Sequence, residues 1–198
     1  ESLRGMPRIR LFGNAALSFV TKLSSGYWPI MDPTNGYTAI HAAALRRLPL
    51  EKLERRYFFE SDMLYRLNTI RAVVQDVPMD AVYADERSNL RVSSVLPEFM
   101  RKHVQRFFKR YVYVYLVRDF NLGSVYSLAG VLLSVLGLGF GVAQWVHSVT
   151  TGRPASSGTV MLAALPLMIG IQFLIAFLHH DVDNVPREPL SADDRDPE

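Results

Sequence analysis

Two long apolar runs separated by a short polar loop dominate the hydrophobic pattern of the chain. The core of the first run is 125–146, and no Asp, Glu, Lys or Arg occurs between Asp119 and Arg153. The second run is 159–178, and turn-forming residues fill the gap at 152–158. A helix rises ~1.5 Å per residue, so each run can cross ~30 Å of hydrocarbon. The pattern predicts a hairpin of two membrane spans, and the run length disfavours the alternative of two helices buried in a large soluble core.

The basic residues just ahead of the first span predict its orientation. They are Arg101, Lys102, Arg106, Lys109, Arg110 and Arg118. The loop between the spans holds only Arg153, so the positive-inside rule places the preceding residues and both flanks in the cytoplasm. The net charge of +3 is therefore local, which favours an anionic membrane surface or a phosphate-bearing substrate over nucleic acid. The absence of cysteine agrees with a cytosolic location.

Ahead of the hairpin, the pattern predicts short helices and one pair of strands. Apolar residues recur at helical spacing, and an Ala-rich helix has Thr38 or Asn35 as its cap. The predicted helices cover 7–23, 39–47, 50–56 and 63–70. The run 72–79 predicts a strand, with 81–84 as its partner.

A basic aromatic segment, 97–115, predicts an amphipathic helix that lies in the plane of the membrane interface. Its apolar stripe consists of Met100, Val104, Phe107, Phe108, Tyr111 and Tyr115. The opposite side carries Lys102, Arg106, Lys109 and Arg110. Such a helix would insert its aromatic rings among acyl chains while its basic residues bind lipid phosphates. The alternation over 111–115 leaves a strand open as the alternative.

The acids best placed for chemistry are Asp32, in a polar turn, and Glu60 and Asp62, at the start of a predicted helix. Rigid turns and helix termini direct side chains into clefts, although each acid could equally be a turn former or a helix cap. Arg87 and Arg91 precede the interfacial helix, where a guanidinium suits a phosphate at headgroup depth. Solvated charge is the alternative for both arginines.

Three motif-like stretches in or beside the hairpin are discounted. Asp181-Val182-Asp183 spells a metal-binding acid pair, but it follows a membrane span and lacks a preceding buried strand. Gly137 and Gly141 lie within a span, where small residues let helices approach closely rather than bind phosphate. His179-His180 followed by Asp181 is better explained as an interfacial cap than as a metal site.

Several short motifs occur in an order that resembles a known family. They are Ser25-Gly26-Tyr27-Trp28, Asp32-Pro33-Thr34-Asn35-Gly36-Tyr37, Phe59-Glu60-Ser61-Asp62-Met63-Leu64-Tyr65-Arg66, Val77-Pro78 and Glu86-Arg87-Ser88-Asn89-Leu90. Followed by a basic helix and a membrane hairpin, they resemble the C-terminal part of the membrane-bound family 2 glycosyltransferases that load sugars onto polyprenyl phosphate. Within that family, the chain is similar to dolichyl-phosphate mannose synthases and bactoprenol glucosyltransferases. The chain departs from the family pattern after Arg87, where a glycine and a lysine are missing.

The resemblance implies the C-terminal portion of an α/β GT-A-type domain, followed by an amphipathic interfacial helix and a transmembrane hairpin. The corresponding segments are 1–95, 96–120, 121–180 and, as a cytosolic tail, 181–198. The resemblance also implies transfer of a sugar from a nucleotide sugar to polyprenyl phosphate at the cytoplasmic membrane face.

The resemblance assigns roles residue by residue. Asp32 and Asp62 would be catalytic. The substrate-binding residues would be Thr34, Asn35, Gly36, Glu60, Arg87 and Arg91. A divalent cation, Mg²⁺ or Mn²⁺, would be held by an Asp-x-Asp in a missing N-terminal half, so the chain, which begins at Glu1, is expected to be an inactive fragment. The alternative function is a non-enzymatic two-span anchor or oligomerising module that binds a partner protein or anionic lipid, and a homo-oligomer is compatible with both functions.

Overall fold

The computed structural model describes residues 8–33, 36–77 and 92–190, and this part of the chain is built from helices. They are α1 (Arg8–Ser25), α2 (Ala42–Arg47), α3 (Phe59–Thr69), α4 (Val92–Tyr111), α5 (Leu122–Thr151) and α6 (Ser157–Asp183). Short 3-10 turns cover Leu50–Lys52 and Arg56–Phe58, and a π-helical segment, Val112–Arg118, continues α4. The described residues divide into two compact units, one up to Val114 together with the segment from Val185, and one from Tyr115 to Asn184.

The α/β GT-A-type domain expected from the resemblance is wrong for this structure. The described residues are 74% helical and form no strand or sheet. The predicted strand at 72–79 has no regular secondary structure over its described part, 72–77, and its predicted partner, 81–84, lies outside the described residues. Side chains rather than a strand hold this segment, because Tyr27 donates to Ala72 O at 2.5 Å and Asp76 accepts from Met31 N at 2.6 Å.

Most predicted helices are confirmed with shifted ends. The predicted helix at 7–23 is α1, and the one at 63–70 is α3, which begins earlier, at Phe59. The Ala-rich helix begins at Ala42 and is capped by His41, whose Nδ1 accepts from Ala43 N, so the expected cap Thr38 is wrong. The predicted helix at 50–56 is replaced by the two 3-10 turns. The alternative of a strand over 111–115 is wrong, because that segment is helical.

In the first unit α1, α3 and α4 pack against one another, and a small apolar core is formed by α2, α3 and the segments that follow α1, α2 and α3. The buried core residues are Tyr27, Ile30, Ala44, Leu48, Leu64, Leu67 and Ala72. Val185 and Leu190, from the segment expected to be an exposed tail, pack against this core. The rest of that tail, 191–198, lies outside the described residues.

Gly26 ends α1 in a conformation that a side chain would disturb. Its φ is +80°, in the left-handed region that favours glycine. A Cβ at this position would lie 2.6 Å from Arg110 Nη1 and 2.9 Å from Asn68 Nδ2. The chain therefore turns sharply after α1, with α3 and α4 side chains packed directly against the turn.

The second unit is an antiparallel hairpin of α5 and α6. Both helices are long and apolar enough to cross a membrane, with mean hydropathies of 2.0 and 2.3. Only 17% and 6% of their most apolar windows are buried, whereas the core helix of a soluble protein is mostly buried. Gly152, at φ +67°, ends α5, and Ser156 caps α6 by accepting from Thr159 N. The expected tight hairpin of two apolar helices is therefore present.

Small residues let α5 and α6 approach closely. A Cβ at Gly137 would lie 2.6 Å from the backbone nitrogen of Leu167, and one at Gly170 would lie 2.6 Å from the backbone nitrogen of Ser134. Gly141, the second residue of the predicted close-approach pair, faces Ala163. These contacts confirm that the glycines act in helix packing, here within the hairpin itself.

A buried polar cluster ties the ends of the hairpin together. Tyr115 donates to Asp181 Oδ1 at 2.6 Å, and both side chains are almost fully buried. Ser124 donates to the backbone oxygen of Tyr115, while Asn121 and Ser124 form a reciprocal cap at the start of α5. Asp181 thus has a structural partner, which agrees with its rejection as a metal-binding acid.

We expect Gly137→Val to destabilise the hairpin by about 1–3 kcal/mol, since the added atoms would overlap the backbone of α6. Gly139→Val is the matched control, because a Cβ at Gly139 has open space around it and the loss of helical glycine is the same. The free energy of unfolding in SDS-containing mixed micelles measures the difference. Equal stability of the two variants would contradict the close approach.

Candidate functional site

Two of the segments expected to form a site meet at the first turn of α3. A Cβ at Gly36 would lie 3.8 Å from Oε1 of Glu60. Asp32 is exposed at the start of the same turn. Thr34 and Asn35, between them, lie outside the described residues. The structure therefore places Gly36 near Glu60, and their role in binding substrate stays a prediction.

Arg87 and Arg91 were also expected to bind substrate phosphate. Both lie outside the described residues, so their roles stay predictions.

Glu60 is a half-buried carboxylate at the start of α3. Within the described residues it has no hydrogen-bond or ion-pair partner, and the first turn of a helix favours negative charge. A side chain in this position can accept hydrogen bonds from a ligand without first breaking an internal contact.

Asp62 lies in the same turn but points into the first unit, where it is fully buried. Its Oδ1 accepts from Arg106 Nε at 2.5 Å. Its Oδ2 accepts from Arg66 Nε at 2.8 Å and from the backbone nitrogen of Glu54 at 2.9 Å. Both oxygens are therefore engaged inside the protein.

An ion-pair chain extends from Asp62 along α4. Arg106 also donates to Glu54 Oε1 at 3.1 Å, and Lys102 donates to Glu54 Oε2 at 3.0 Å. Lys102 binds Glu98 as well, at 3.1 Å. The hydrogen bond to Glu54 raises the pKa of Lys102, and this effect exceeds the opposing effect of burial. This ion-pair network contains three acids and three basic residues, Arg66 included, so its charges balance.

The four basic residues of α4 that were expected to bind lipid phosphate differ in their exposure and in their partners. Lys102 and Arg106 face the acids just described, and Arg110 is buried against the end of α1, where it donates to Leu23 O at 2.9 Å. A cation there complements the partial negative charge of a helix C-terminus. Lys109 is exposed.

Apolar side chains occupy the outward face of α4. Leu96, Met100, Val104 and Phe108 are exposed, with Phe108 at 58%. Lys102, Arg106 and Arg110 thus face the protein, while this apolar stripe faces outward beside the exposed Arg101 and Lys109. An outward apolar stripe of this kind fits a lipid surface or another apolar partner.

His103 is a buried polar residue that the sequence did not single out. Its Nδ1 lies 2.8 Å from Ser24 Oγ, and its ring packs edge-on against Phe58 and Phe99. Ser24 Oγ also donates to Thr21 O at 3.1 Å, and His103 Nε2 has no partner among the described residues. Burial lowers the pKa of His103 to about 4.

Glu54 was also missed. It carries two of the cross-links between the α3 region and α4, yet its sequence context, Lys-Leu-Glu-Arg-Arg, reads as an ordinary charged surface segment. A recognisable signal lay in α4, where His103, Arg106 and Arg110 recur at i, i+3 and i+7 on one side. That spacing marks a polar face but does not say what the face contacts.

The hairpin contains a groove of about 450 Å³, lined mainly by apolar and small side chains from α5 and α6. No titratable side chain lines it, so it offers no group for acid–base chemistry. In the part of the chain that the structure describes, no three His, Asp or Glu side chains are grouped to hold a metal ion.

Comparison with protein-family models, characterised proteins and solved structures finds no match to this chain. The roles implied by the resemblance therefore stay predictions.

We expect the buried neutral His103 to make stability depend on pH. A pKa of about 4 in the folded state, against 6.5 when unfolded, means that the unfolded chain binds more protons between these values. The free energy of unfolding should therefore fall by up to about 1.4 kcal/mol per pH unit as the pH drops from 6.5 toward 4.

Urea denaturation in detergent at several pH values measures this effect. His103→Phe, which keeps an aromatic ring between Phe58 and Phe99, should flatten the profile, whereas substitution of the exposed His147 by Gln should not. A wild-type profile identical to that of His103→Phe would show that His103 is not the group responsible.

Proposed function

We propose that this chain forms the acceptor and membrane part of an enzyme that transfers a sugar from a nucleotide sugar to a polyprenyl phosphate. The observation that carries the proposal is the proximity of the turn at Gly36 to the Glu60 side chain in the first turn of α3. These are two of the segments that the resemblance couples in one site. In this proposal the nucleotide sugar and its Mg²⁺ or Mn²⁺ are bound by protein outside these 198 residues.

The two acids near Gly36, Asp32 and Glu60, have a role in such a transfer that does not require a strong base. A phosphate monoester has a second pKa of ~6, so its oxygen is mostly deprotonated at neutral pH. Asp32 and Glu60 would instead position the sugar and stabilise the positive charge that develops on it.

The membrane side of the proposal rests on two observations. The helices α5 and α6 are long and apolar enough to span a bilayer. The helix α4 has an outward apolar stripe, and only the short segment 112–121 separates it from α5 in the sequence. We propose that both spans cross the membrane, that the flanking segments are cytoplasmic by the positive-inside rule, and that α4 lies in the interface. A lipid-linked acceptor would then reach the protein from the bilayer.

Transferase activity is tested in membranes that contain the protein expressed from its complete reading frame. A panel of labelled nucleotide sugars is supplied with a short polyprenyl phosphate, and labelled lipid product is extracted. We expect product with the wild type and a loss of about 100-fold with Glu60→Gln or Asp32→Asn. Glu51→Gln, at an exposed acid in a 3-10 turn, should retain activity. Absence of product across the panel would reject the transferase and leave the non-enzymatic anchor.

The position of α4 is tested separately with a fluorophore, because the chain contains no cysteine and accepts single labels. A polarity-sensitive dye on Phe108→Cys should respond as in an apolar environment and be quenched by spin-labelled lipid. The same dye on Gln105→Cys, on the polar flank of α4, should respond as in water. Equal quenching at both positions, or at neither, would contradict an interfacial α4.

A further inference from the structure

Asp62 was expected to contact substrate, but its surroundings assign it another role. The carboxylate is fully buried, and three donors bind it inside the protein: Arg106 Nε, Arg66 Nε and the backbone nitrogen of Glu54. A carboxylate that is buried and bound in this way is closed off from a ligand in solution. Glu60, two residues earlier, is the acid of this turn that stays available.

Arg106 is the donor that joins α3 to another helix. Its Nε binds Asp62 at 2.5 Å, its Nη2 binds Glu54 at 3.1 Å, and the guanidinium carbon lies 5.4 Å from the centre of the Tyr65 ring. Three contacts in different directions fix the planar guanidinium. Arg66 binds the same carboxylate from within α3, at i+4, and so does not connect α3 to α4.

We propose that Arg106 is a positioning residue of the transferase proposed above, and that Asp62 acts only through it. By holding Asp62 and Glu54, Arg106 sets the position of the first turn of α3 on α4. Glu60 belongs to that turn, so its distance from the turn at Gly36 depends on the same contact. Displacing a substrate-binding group by about 1 Å costs on the order of 100-fold in rate, so the pair can control catalysis without touching substrate.

The inference rests on the proposed function, and its kinetic test compares two arginines that share one carboxylate. In the complete protein, Arg106→Gln should lower kcat about 10- to 100-fold while leaving the KM for the nucleotide sugar within about threefold. Arg66→Gln should keep kcat within about threefold. Arg106→Lys should lose less activity than Arg106→Gln, because the ammonium keeps the positive charge. It should not reach the wild-type rate, because an ammonium cannot bridge both carboxylates as the guanidinium does.

A structural readout separates positioning from simple loss of folding. Spin labels at Tyr57→Cys, just before α3, and Gln105→Cys, exposed on α4, report the distance between the two elements. The distance distribution should broaden in Arg106→Gln and keep its wild-type width in Arg66→Gln. Since an unpaired buried Asp62 can unfold the protein, the double variant Asp62→Asn/Arg106→Gln is measured as well, and it should show the same loss of kcat per folded molecule.

Three outcomes would overturn the inference: wild-type kcat in folded Arg106→Gln, an equal loss in Arg66→Gln, or an unchanged label distance in a kinetically impaired Arg106 variant. A wild-type protein without transferase activity would instead reject the proposed function, and this inference with it. Normal wild-type activity combined with any of the three outcomes rejects the inference alone.

Discussion

The ion pair between Arg106 and Asp62 joins parts of the chain that are 44 residues apart, and the arrangement of the first unit depends on it. Both side chains are buried, so neither can be left unpaired without a large desolvation cost. Glu54 adds a second link between the same regions through Arg106 and a third through Lys102. The small apolar core of this unit is thus supplemented by a polar interface between α3 and α4.

This polar interface also determines what α4 shows to its surroundings. A helix with one charged and one apolar side must bury one of them, and in this protein specific partners for the charges lie inside. The apolar side, including Val104 and Phe108, is therefore left outward. The same contacts that hold α3 in place produce the surface that we propose for the membrane interface.

Helices are held together by different interactions in the two units. In the first unit, buried charged side chains bind acids or backbone carbonyls, and the absence of a side chain at Gly26 leaves room for Arg110 at the end of α1. In the hairpin, α5 and α6 have almost no charge to pair, and glycines such as Gly137 permit close backbone contact instead. At the base of the hairpin, Tyr115 and Asp181 add a buried hydrogen bond.

The hairpin and most helices were predictable because their signals are local. Run length decides whether a helix can span a bilayer, and 3.6-residue periodicity identified the helices predicted at 7–23 and 97–115. The prediction of a strand at 72–79 was wrong, because a strand requires a pairing partner elsewhere in the chain. The described part of this segment is instead held by the side chains of Tyr27 and Asp76.

The sequence alone thus determined the apolar hairpin, the amphipathic character of α4 and the candidate acids near α3. Only the tertiary structure decided that Asp62 is enclosed while Glu60 stays available, and that Arg106 faces a carboxylate. The physical reason is that a charge on a helix is equally compatible with lipid phosphate, water or a distant carboxylate. Which of these it contacts depends on a partner brought close only by folding.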